Sequence, residues 1–280
     1  MEKTERYAFF VEPFHVDFSG HLFLGVLGNH LLNAAGRHSH NRGWGIDHLN
    51  QVHYTWVLSR LTIELSEMPA QYEHVEVETW VESVLKLFTE RNFAIRNADD
   101  GRIYGYARSI WAMIDTTSRK PANLLTLHDG DILRYVIPAD EKPCPINRHS
   151  TIRVNAGQPL RRVPTYYSDV DINGHINSIK YIEHILDLYG REQFEQRRLH
   201  RFEIAYKTEA HMGDELALFC DGFTLAPPAA TPLAETPPAA TLLADAEQTV
   251  EIRKQLGSQA HPDGVTVAQA RLLWRDCHAV

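Results

Sequence analysis

Cysteine is scarce in this sequence, and it contains no long apolar run. The 280 residues include three cysteines, Cys144, Cys220 and Cys277, which lie far apart and show no metal-binding spacing. This pattern argues against a disulfide-stabilised scaffold, and an odd number of cysteines fits a reducing compartment, so we expect a cytoplasmic protein. No segment approaches the roughly 20 apolar residues that a membrane-spanning helix needs. The first 14 residues contain no apolar signal region, so we expect no targeting peptide.

Positive charge is also in deficit. The formal net charge of −8 argues against a nucleic acid as partner. The 16 histidines, His38 and His40 among them, show no ligand spacing, so we expect no metal site. The chain is 44% hydrophobic, which is enough for substantial cores, and its length allows two domains of ordinary size.

The most informative segment has a partial copy upstream. Residues 171–191 read DINGHINSIKYIEHILDLYGR, and residues 17–37 read DFSGHLFLGVLGNHLLNAAGR. Aligned without a gap, the two segments share an aspartate, a glycine and a histidine at the start, and Gly-Arg at the end. The first copy has Ser19 where the second has Asn173. We therefore expect a duplicated domain with one complete and one incomplete set of polar groups.

Each copy has the pattern of a polar turn followed by a buried helix and then a sheet. Apolar residues recur at helical spacing after Asp and Asn, which are N-cap signals, and Gly36 and Gly190 stand at the expected helix ends. Segments rich in β-branched and aromatic residues follow, at 52–65, 75–95 and 103–114 in the first copy and at 202–206, 215–223, 249–256 and 265–274 in the second. A long helix wrapped by an antiparallel meander predicts an α+β fold with two tandem hotdog units, a double hotdog.

Two segments interrupt this pattern. Residues 138–158 are polar and contain proline, so we interpret them as a linker between an N-terminal domain, 1–137, and a C-terminal domain, 159–280. Residues 226–246 contain the tandem repeat PPAATPLAET and PPAATLLADA, which cannot continue a sheet ladder. A lid over a substrate channel is one interpretation of this insertion, and we favour the simpler one of an exposed loop.

The segment SDVDINGHINSIKYIEHILD resembles the signature of the acyl-acyl-carrier-protein thioesterases of plants and bacteria. The resemblance extends over nearly the whole chain and includes Trp56–Arg60, Val77–Trp80 and Ser109–Met113. It implies a double hotdog fold, hydrolysis of the thioester between a fatty acyl chain and acyl carrier protein, and no metal or organic cofactor. It also implies that the degenerate N-terminal copy helps to bind the acyl chain.

The catalytic residues of that family carry over to four positions. Its Asp-x-Asn-x-His motif falls on Asp171, Asn173 and His175, and its catalytic acidic residue falls on Glu209. Plant members often have a cysteine after that glutamate, and this chain has Ala210 there. The resemblance therefore implies an Asp/Asn/His/Glu set without a cysteine nucleophile.

Each of the four residues also has a structural interpretation. Asp171 has the pattern of a helix cap, Asn173 of a turn residue, His175 of a buried histidine and Glu209 of a turn carboxylate. Because the first copy keeps the aspartate and the histidine, part of the motif is expected to be structural. The asparagine distinguishes the second copy and favours chemistry there.

The set suits the hydrolysis of a thioester by water. We expect Glu209, assisted by His175, to deprotonate the water, Asn173 to orient the water or the carbonyl, and Asp171 to hold the turn. Backbone N–H groups at the start of a helix over 175–189 are expected to stabilise the oxyanion. A covalent acyl-glutamate intermediate is the alternative that the sequence leaves open.

The sequence leaves three other functions open besides acyl-carrier-protein thioester hydrolysis. The rivals are an acyl-coenzyme A thioesterase, a hotdog dehydratase or hydratase, whose His and acidic pair the motif matches poorly, and a non-catalytic acyl-binding protein. Acyl carrier protein is acidic, so its docking needs a local basic patch. The candidates are the run Arg191–Arg201 and the pair Arg161 and Arg162, although mixed charged surfaces are commoner. The sequence leaves open whether the fused chain forms a homodimer.

Overall fold

The computed structural model describes residues 2–155, 157–221, 247–255 and 264–277. The chain divides into two compact units, the N-terminal unit Met1–His149 and the C-terminal unit Ser150–Val280. The predicted domain limits, with a linker at 138–158, stay a prediction. The insertion predicted at 226–246 lies outside the described residues.

The N-terminal unit is an antiparallel sheet with a long helix. Its strands are β1 (Glu5–Phe10), β2 (Tyr54–Leu65), β3 (His74–Val84), β4 (Phe88–Asn97) and β5 (Ile103–Asp115), in the order β1-β3-β4-β5-β2. Its helices are α1 (Leu24–His40) and α2 (Ile46–Leu49), with 3-10 turns at Pro13–His15, Asn50–Val52 and Leu127–Tyr135. The sheet-forming segment predicted at 75–95 consists of two strands, β3 and β4, that form a hairpin.

The strand order of this unit departs from the predicted meander. Strands β3, β4 and β5 are consecutive neighbours, but β2 pairs with β5 rather than with β3, and β1 pairs with β3. The sequence pattern of a strand reports which of its faces is buried and not which strand is its neighbour. The order is therefore decided by long-range pairing.

Helix α1 is longer than predicted. Its buried residues include Leu24, Leu27, Leu31 and His38, at the spacing of one helical face. The helix passes through Gly36, the predicted stop, and ends at His40, with Asn41 as its C-cap. A glycine inside a helix costs about 1 kcal/mol relative to alanine. We attribute the continuation to the packing of the last turn, in which His38 is buried.

The C-terminal unit has the same plan with a shorter helix. Its elements are β6 (Arg161–Pro164), α3 (Ser178–Leu186), α4 (Arg191–Gln196), β7 (Arg197–Tyr206), β8 (Glu215–Asp221), β9 (Glu247–Lys254) and β10 (Val265–Asp276), with a 3-10 turn at Tyr167–Asp169. All strands are antiparallel, in the order β7-β10-β9-β8-β6. Within the described residues the four segments predicted as strands overlap β7 to β10, and β7 begins earlier than predicted, at Arg197.

Helix α3 begins later and ends earlier than the predicted helix over 175–189. The Asn177 side chain caps its first turn by accepting the N–H of Ile179 at 2.9 Å. The predicted cap, Asp171, lies in the preceding turn, and the predicted stop, Gly190, is the N-cap of α4. Several Asp and Asn residues precede the apolar run, and sequence alone did not distinguish the cap among them.

None of the helices in the described residues has the length and the apolar character that a membrane span requires.

We expect Asn177→Ala to lower the free energy of unfolding by about 0.5–2 kcal/mol, because the first N–H groups of α3 lose their side-chain acceptor. Asn173→Ala is the matched control, since no hydrogen bond of the Asn173 side chain is found within the described residues. Urea unfolding of both variants measures the difference. Equal losses from the two variants would contradict the assignment of Asn177 as the cap.

Candidate active site

A tight turn organised by Asp171 precedes helix α3. Its Oδ1 accepts the backbone N–H groups of Asn173 at 2.8 Å and of His175 at 3.2 Å. The Asp171 N–H donates to the His175 carbonyl at 2.8 Å, and Gly174 donates to the Asp171 carbonyl at 3.1 Å. Gly174 has a φ of 79°, which a side chain would disfavour. The motif Asp-x-Asn-Gly-His is therefore first a self-contained turn.

This turn holds His175 against Glu209. The N–H of Ile176 donates to the carbonyl of Ala210 at 2.8 Å, which ties the turn to the loop after β7. His175 Nε2 then lies 3.3 Å from Glu209 Oε2. The two side chains are 25% and 34% exposed, so water reaches both. An imidazole beside a carboxylate is a pair that can hold and deprotonate a water molecule.

A buried lysine that the sequence analysis did not identify supports Glu209. Lys254 lies on β9, is 8% exposed, and its Nζ donates to the backbone carbonyl of Glu209 at 2.6 Å. The same ammonium is 3.9 Å from Asp214 Oδ2. The lysine is 45 residues from Glu209 in sequence. No motif or spacing pointed to it.

Among the four predicted site residues, Asn173 is the one whose side chain makes no hydrogen bond to the other three in the described part of the chain. Its side chain is exposed, and in the described part of the chain its amide makes no hydrogen bond. The structure thus brings His175 and Glu209 together, uses Asp171 for the turn, and leaves the Asn173 amide available to a ligand.

The backbone N–H groups at the start of the helix were predicted to stabilise the oxyanion, and for most of them this prediction is wrong. The N–H groups of Ile176, Asn177 and Ile179 already donate to protein acceptors, at 2.8, 2.8 and 2.9 Å. A satisfied N–H cannot stabilise a developing oxyanion without giving up its partner. The exposed Asn173 amide has no protein acceptor to give up among the described residues.

The N-terminal unit contains the same turn. Asp17 Oδ1 accepts the N–H groups of Ser19 at 2.7 Å and of His21 at 3.5 Å, and the Asp17 N–H donates to the His21 carbonyl at 2.8 Å. Gly20 has a φ of 75°. The aspartate, the glycine and the backbone of the histidine therefore have an equivalent structural role in both copies.

What differs between the copies is the partner of the histidine. In the N-terminal unit the turn is tied to the next loop by the N–H of Leu22 and the carbonyl of Pro69, at 2.8 Å. The residue before the accepting carbonyl is Glu209 in the C-terminal unit and Met68 in the N-terminal unit. His21 Nδ1 is instead 3.0 Å from Ser19 Oγ. The carboxylate beside the histidine is therefore a property of the second copy.

The run Arg191–Arg201 is not a basic patch throughout. Arg201 is buried and bonded to Glu203 at 2.6 Å, and Arg197 lies 3.0 Å from Asp276. Arg198 is exposed and donates to a backbone carbonyl. The run as a whole therefore offers less free positive charge than its composition indicates.

Both halves of the chain match one known protein family. Residues 2–126 match the pattern of the acyl-ACP thioesterase N-terminal domain, and residues 157–276 match that of the acyl-ACP thioesterase C-terminal domain. The chain belongs to the acyl-ACP thioesterase family. Each matched region lies within one of the two units, and each contains one of the two turns.

Relatives of known structure or name agree with this family. An acyl-ACP thioesterase from Bacteroides thetaiotaomicron is 48% identical, with 98% of each chain covered and a TM-score of 0.82. The 12:0-ACP thioesterase from Umbellularia californica is 20% identical, with 98% of this chain and 94% of that one covered, and a TM-score of 0.73. The chloroplastic oleoyl-acyl carrier protein thioesterase 2 of Arabidopsis thaliana is 24% identical over 221 residues, which are 74% of this chain and 59% of that relative. The structural similarities confirm the predicted double hotdog, α+β fold.

We expect Asp17→Ala and Asp171→Ala to lower the free energy of unfolding by similar amounts, about 1–3 kcal/mol each, because each removes a carboxylate that accepts two backbone N–H groups. Thioester hydrolysis should fall in Asp171→Ala alone, since that turn positions His175. Urea unfolding and kcat are measured on both variants. An equal loss of kcat in Asp17→Ala would contradict the separation of a structural turn from a catalytic one.

Proposed function

We propose that this protein hydrolyses the thioester of fatty acyl-acyl carrier protein, and that it releases a free fatty acid in fatty acid biosynthesis. The observation that carries the proposal is the contact of 3.3 Å between His175 and Glu209 in the C-terminal unit. The N-terminal copy of the same turn has Met68 where Glu209 would stand. Membership of the acyl-ACP thioesterase family supports the same reaction.

In the proposed mechanism Glu209 and His175 together hold the attacking water. The carboxylate accepts a proton as the water oxygen bonds to the thioester carbonyl carbon, and the Asn173 amide donates to the resulting oxyanion. Collapse of the tetrahedral intermediate breaks the carbon–sulfur bond, and the departing thiolate takes up the proton. Lys254 and Asp171 position Glu209 and His175 through the backbone. Direct attack by the Glu209 carboxylate, through an acyl intermediate, is the alternative route.

An acyl-coenzyme A thioesterase is the second candidate function, because the same groups would hydrolyse either thioester. Acyl carrier protein is favoured as the partner by the family and by the names of the relatives. Its docking on a chain of net charge −8 requires local positive charge. Arg198, Arg161 and Arg162 are exposed on the C-terminal unit and are the proposed contacts.

The proposal also covers the cellular location of the enzyme and its assembly. We place it in the cytoplasm, which agrees with the free thiols of Cys144, Cys220 and Cys277. We also retain a homodimer of the fused chain as a testable assembly.

The N-terminal unit is proposed to bind the acyl chain. Between α1 and the sheet of this unit lies a cavity of about 170 Å³, whose wall includes Leu32, Ala35 and Trp111. Apolar walls of this kind favour the burial of methylene groups, at about 0.8 kcal/mol each.

Purified protein should release fatty acid from a panel of acyl-carrier-protein thioesters faster than from the matching coenzyme A esters. Glu209→Ala and His175→Ala should each lower kcat by about 10²–10⁴-fold, because each removes part of the water-activating pair. His21→Ala, at the equivalent position of the N-terminal turn, is the matched control and should keep its activity. Near-normal turnover in either C-terminal variant would reject the role assignment.

The substrate panel tests the reaction itself. Faster hydrolysis of the coenzyme A esters would support the second candidate, and no hydrolysis of either substrate would favour a non-catalytic acyl-binding protein.

Ala35→Leu should shift the preferred substrate toward shorter acyl chains without abolishing hydrolysis, because the added side chain fills part of the cavity beside α1. Asn33→Leu adds the same side chain to an exposed position of the helix and is the matched control. The ratio of kcat/KM values across the panel measures the shift. An unchanged ratio in Ala35→Leu would argue against chain binding in this cavity.

A further inference from the structure

A second imidazole lies beside His175 in the C-terminal unit. The rings of His175 and His211 meet edge to face, with their centroids 5.1 Å apart and their planes at 80°. His211 follows Glu209 by two residues, so one loop brings both a carboxylate and an imidazole to His175. The loop after β7 therefore contacts the His175 ring at two points.

The backbone of His211 is held by hydrogen bonds that do not involve its ring. Its N–H donates to Asp214 Oδ2 at 2.9 Å, and its carbonyl accepts the hydroxyl of Thr165 at 2.9 Å and the N–H of Asp214 at 3.1 Å. The side chain is exposed, and within the described residues its ring nitrogens make no hydrogen bond. The loop therefore closes without the help of this imidazole.

The N-terminal unit contains the same loop without the imidazole. Ala70 is equivalent to His211, because its N–H donates to Glu73 Oε2 at 2.7 Å and its carbonyl accepts the Glu73 N–H at 3.3 Å. Two positions away, Met68 stands where the C-terminal unit has Glu209. The copy that lacks the carboxylate beside its histidine therefore also lacks the second imidazole.

The two copies also restrain the histidine of the turn in different ways. In the N-terminal unit His21 Nδ1 lies 3.0 Å from the hydroxyl oxygen of Ser19. In the C-terminal unit Asn173 takes the place of Ser19. Among the described residues neither the Asn173 amide nor Nδ1 of His175 makes a hydrogen bond. The C-terminal copy therefore lacks the contact that holds Nδ1 in the other copy.

Two contacts remain to orient the His175 ring. Its Nε2 lies 3.3 Å from Glu209 Oε2, and the ring of His211 packs against it. A contact at one nitrogen leaves an imidazole able to swing about that contact, whereas a second contact fixes the plane of the ring. Aromatic rings favour edge-to-face contacts with centroids about 4.5–7 Å apart. The His211 ring therefore supplies a restraint that leaves Nδ1 unoccupied.

We propose that His211 is a positioning residue, whose ring fixes the plane of the His175 imidazole so that Nε2 faces Glu209 while Nδ1 stays open to water or substrate. A serine at position 173 would restrain the ring through Nδ1, as Ser19 does in the N-terminal unit, and would occupy that nitrogen. The inference rests on the proposed hydrolysis, because it assigns His211 an effect on turnover. A displacement of about 1 Å in a reacting group can cost about 10²-fold in rate.

The kinetic test compares two substitutions of the same side chain. His211→Ala should lower kcat by about 10-fold and change KM by less than about 2-fold, because the His175 ring loses its second contact. His211→Phe keeps a ring without nitrogens and should recover most of the lost kcat. Met212→Ala truncates the next side chain of the loop, which is 62% exposed, and is the matched control with unaltered kcat.

The same variants can overturn the proposal. Unchanged kcat in His211→Ala would do so, because the ring contact would then be dispensable. A His211→Phe variant as slow as His211→Ala would also do so, because the ring nitrogens would then be required instead of the contact. Near-UV circular dichroism checks that each variant is folded.

A measurement without substrate distinguishes failure of this proposal from failure of the proposed function. A neutral imidazole carries its proton on one nitrogen, and the ¹⁵N shifts of the ring report which one. The His175 signals, assigned by their loss in His175→Ala, should show the proton on Nε2 in the unaltered protein and in His211→Phe. In His211→Ala the two ¹⁵N shifts should approach each other as the ring reorients.

The two possible failures then give different results. The same ¹⁵N shifts of His175 in all three proteins would overturn the positioning role, even in an active enzyme. The expected shifts in a protein that hydrolyses no thioester would support the positioning of the ring and reject the proposed function alone.

Discussion

The bonds from one aspartate oxygen to two backbone N–H groups are the constraint on which the site depends. Asp171 closes the turn before α3, and this turn places His175 beside Glu209. The equivalent bonds of Asp17 close the same turn in the N-terminal unit, where the His21 ring contacts the Ser19 hydroxyl and makes no ion pair with a carboxylate among the described residues. Both copies therefore need the aspartate turn to fold, and only the C-terminal copy also has the carboxylate proposed for catalysis beside its histidine.

The duplication separates folding requirements from functional ones within a single molecule. What both units keep, an aspartate, a positive-φ glycine and a backbone bond to the following loop, is required by the turn. What only one unit has, Glu209 with the exposed amide of Asn173, serves the proposed reaction. The N-terminal unit has its own unusual group in the buried Arg91.

Each unit contains a buried positive charge, and the two charges have different partners. Lys254 is buried beneath the C-terminal site, where its ammonium fixes the backbone of Glu209. Arg91 is buried beside a cavity, where its acceptors are neutral hydroxyl groups. The first charge has an acidic neighbour, Asp214, and acts within the protein. The second has no carboxylate within hydrogen-bonding distance among the described residues, and the charge of the nearby Glu5 favours its protonated form.

The sequence by itself determined the duplication and the α+β hotdog plan, because periodicity and motif are local properties of the chain. The resemblance to the thioesterase family added the candidate pair of His175 and Glu209, since the residues around Glu209 indicate only a turn carboxylate. Only the tertiary structure decided the start of α3 at Ser178, because the local pattern contains several candidate caps and does not distinguish them. Only the tertiary structure decided the order of the strands, the role of Lys254 and the burial of Arg91, which depend on contacts between residues far apart in sequence that no local pattern encodes. The same holds for Met68, whose equivalence to Glu209 became visible only through the backbone bond that each neighbouring loop makes.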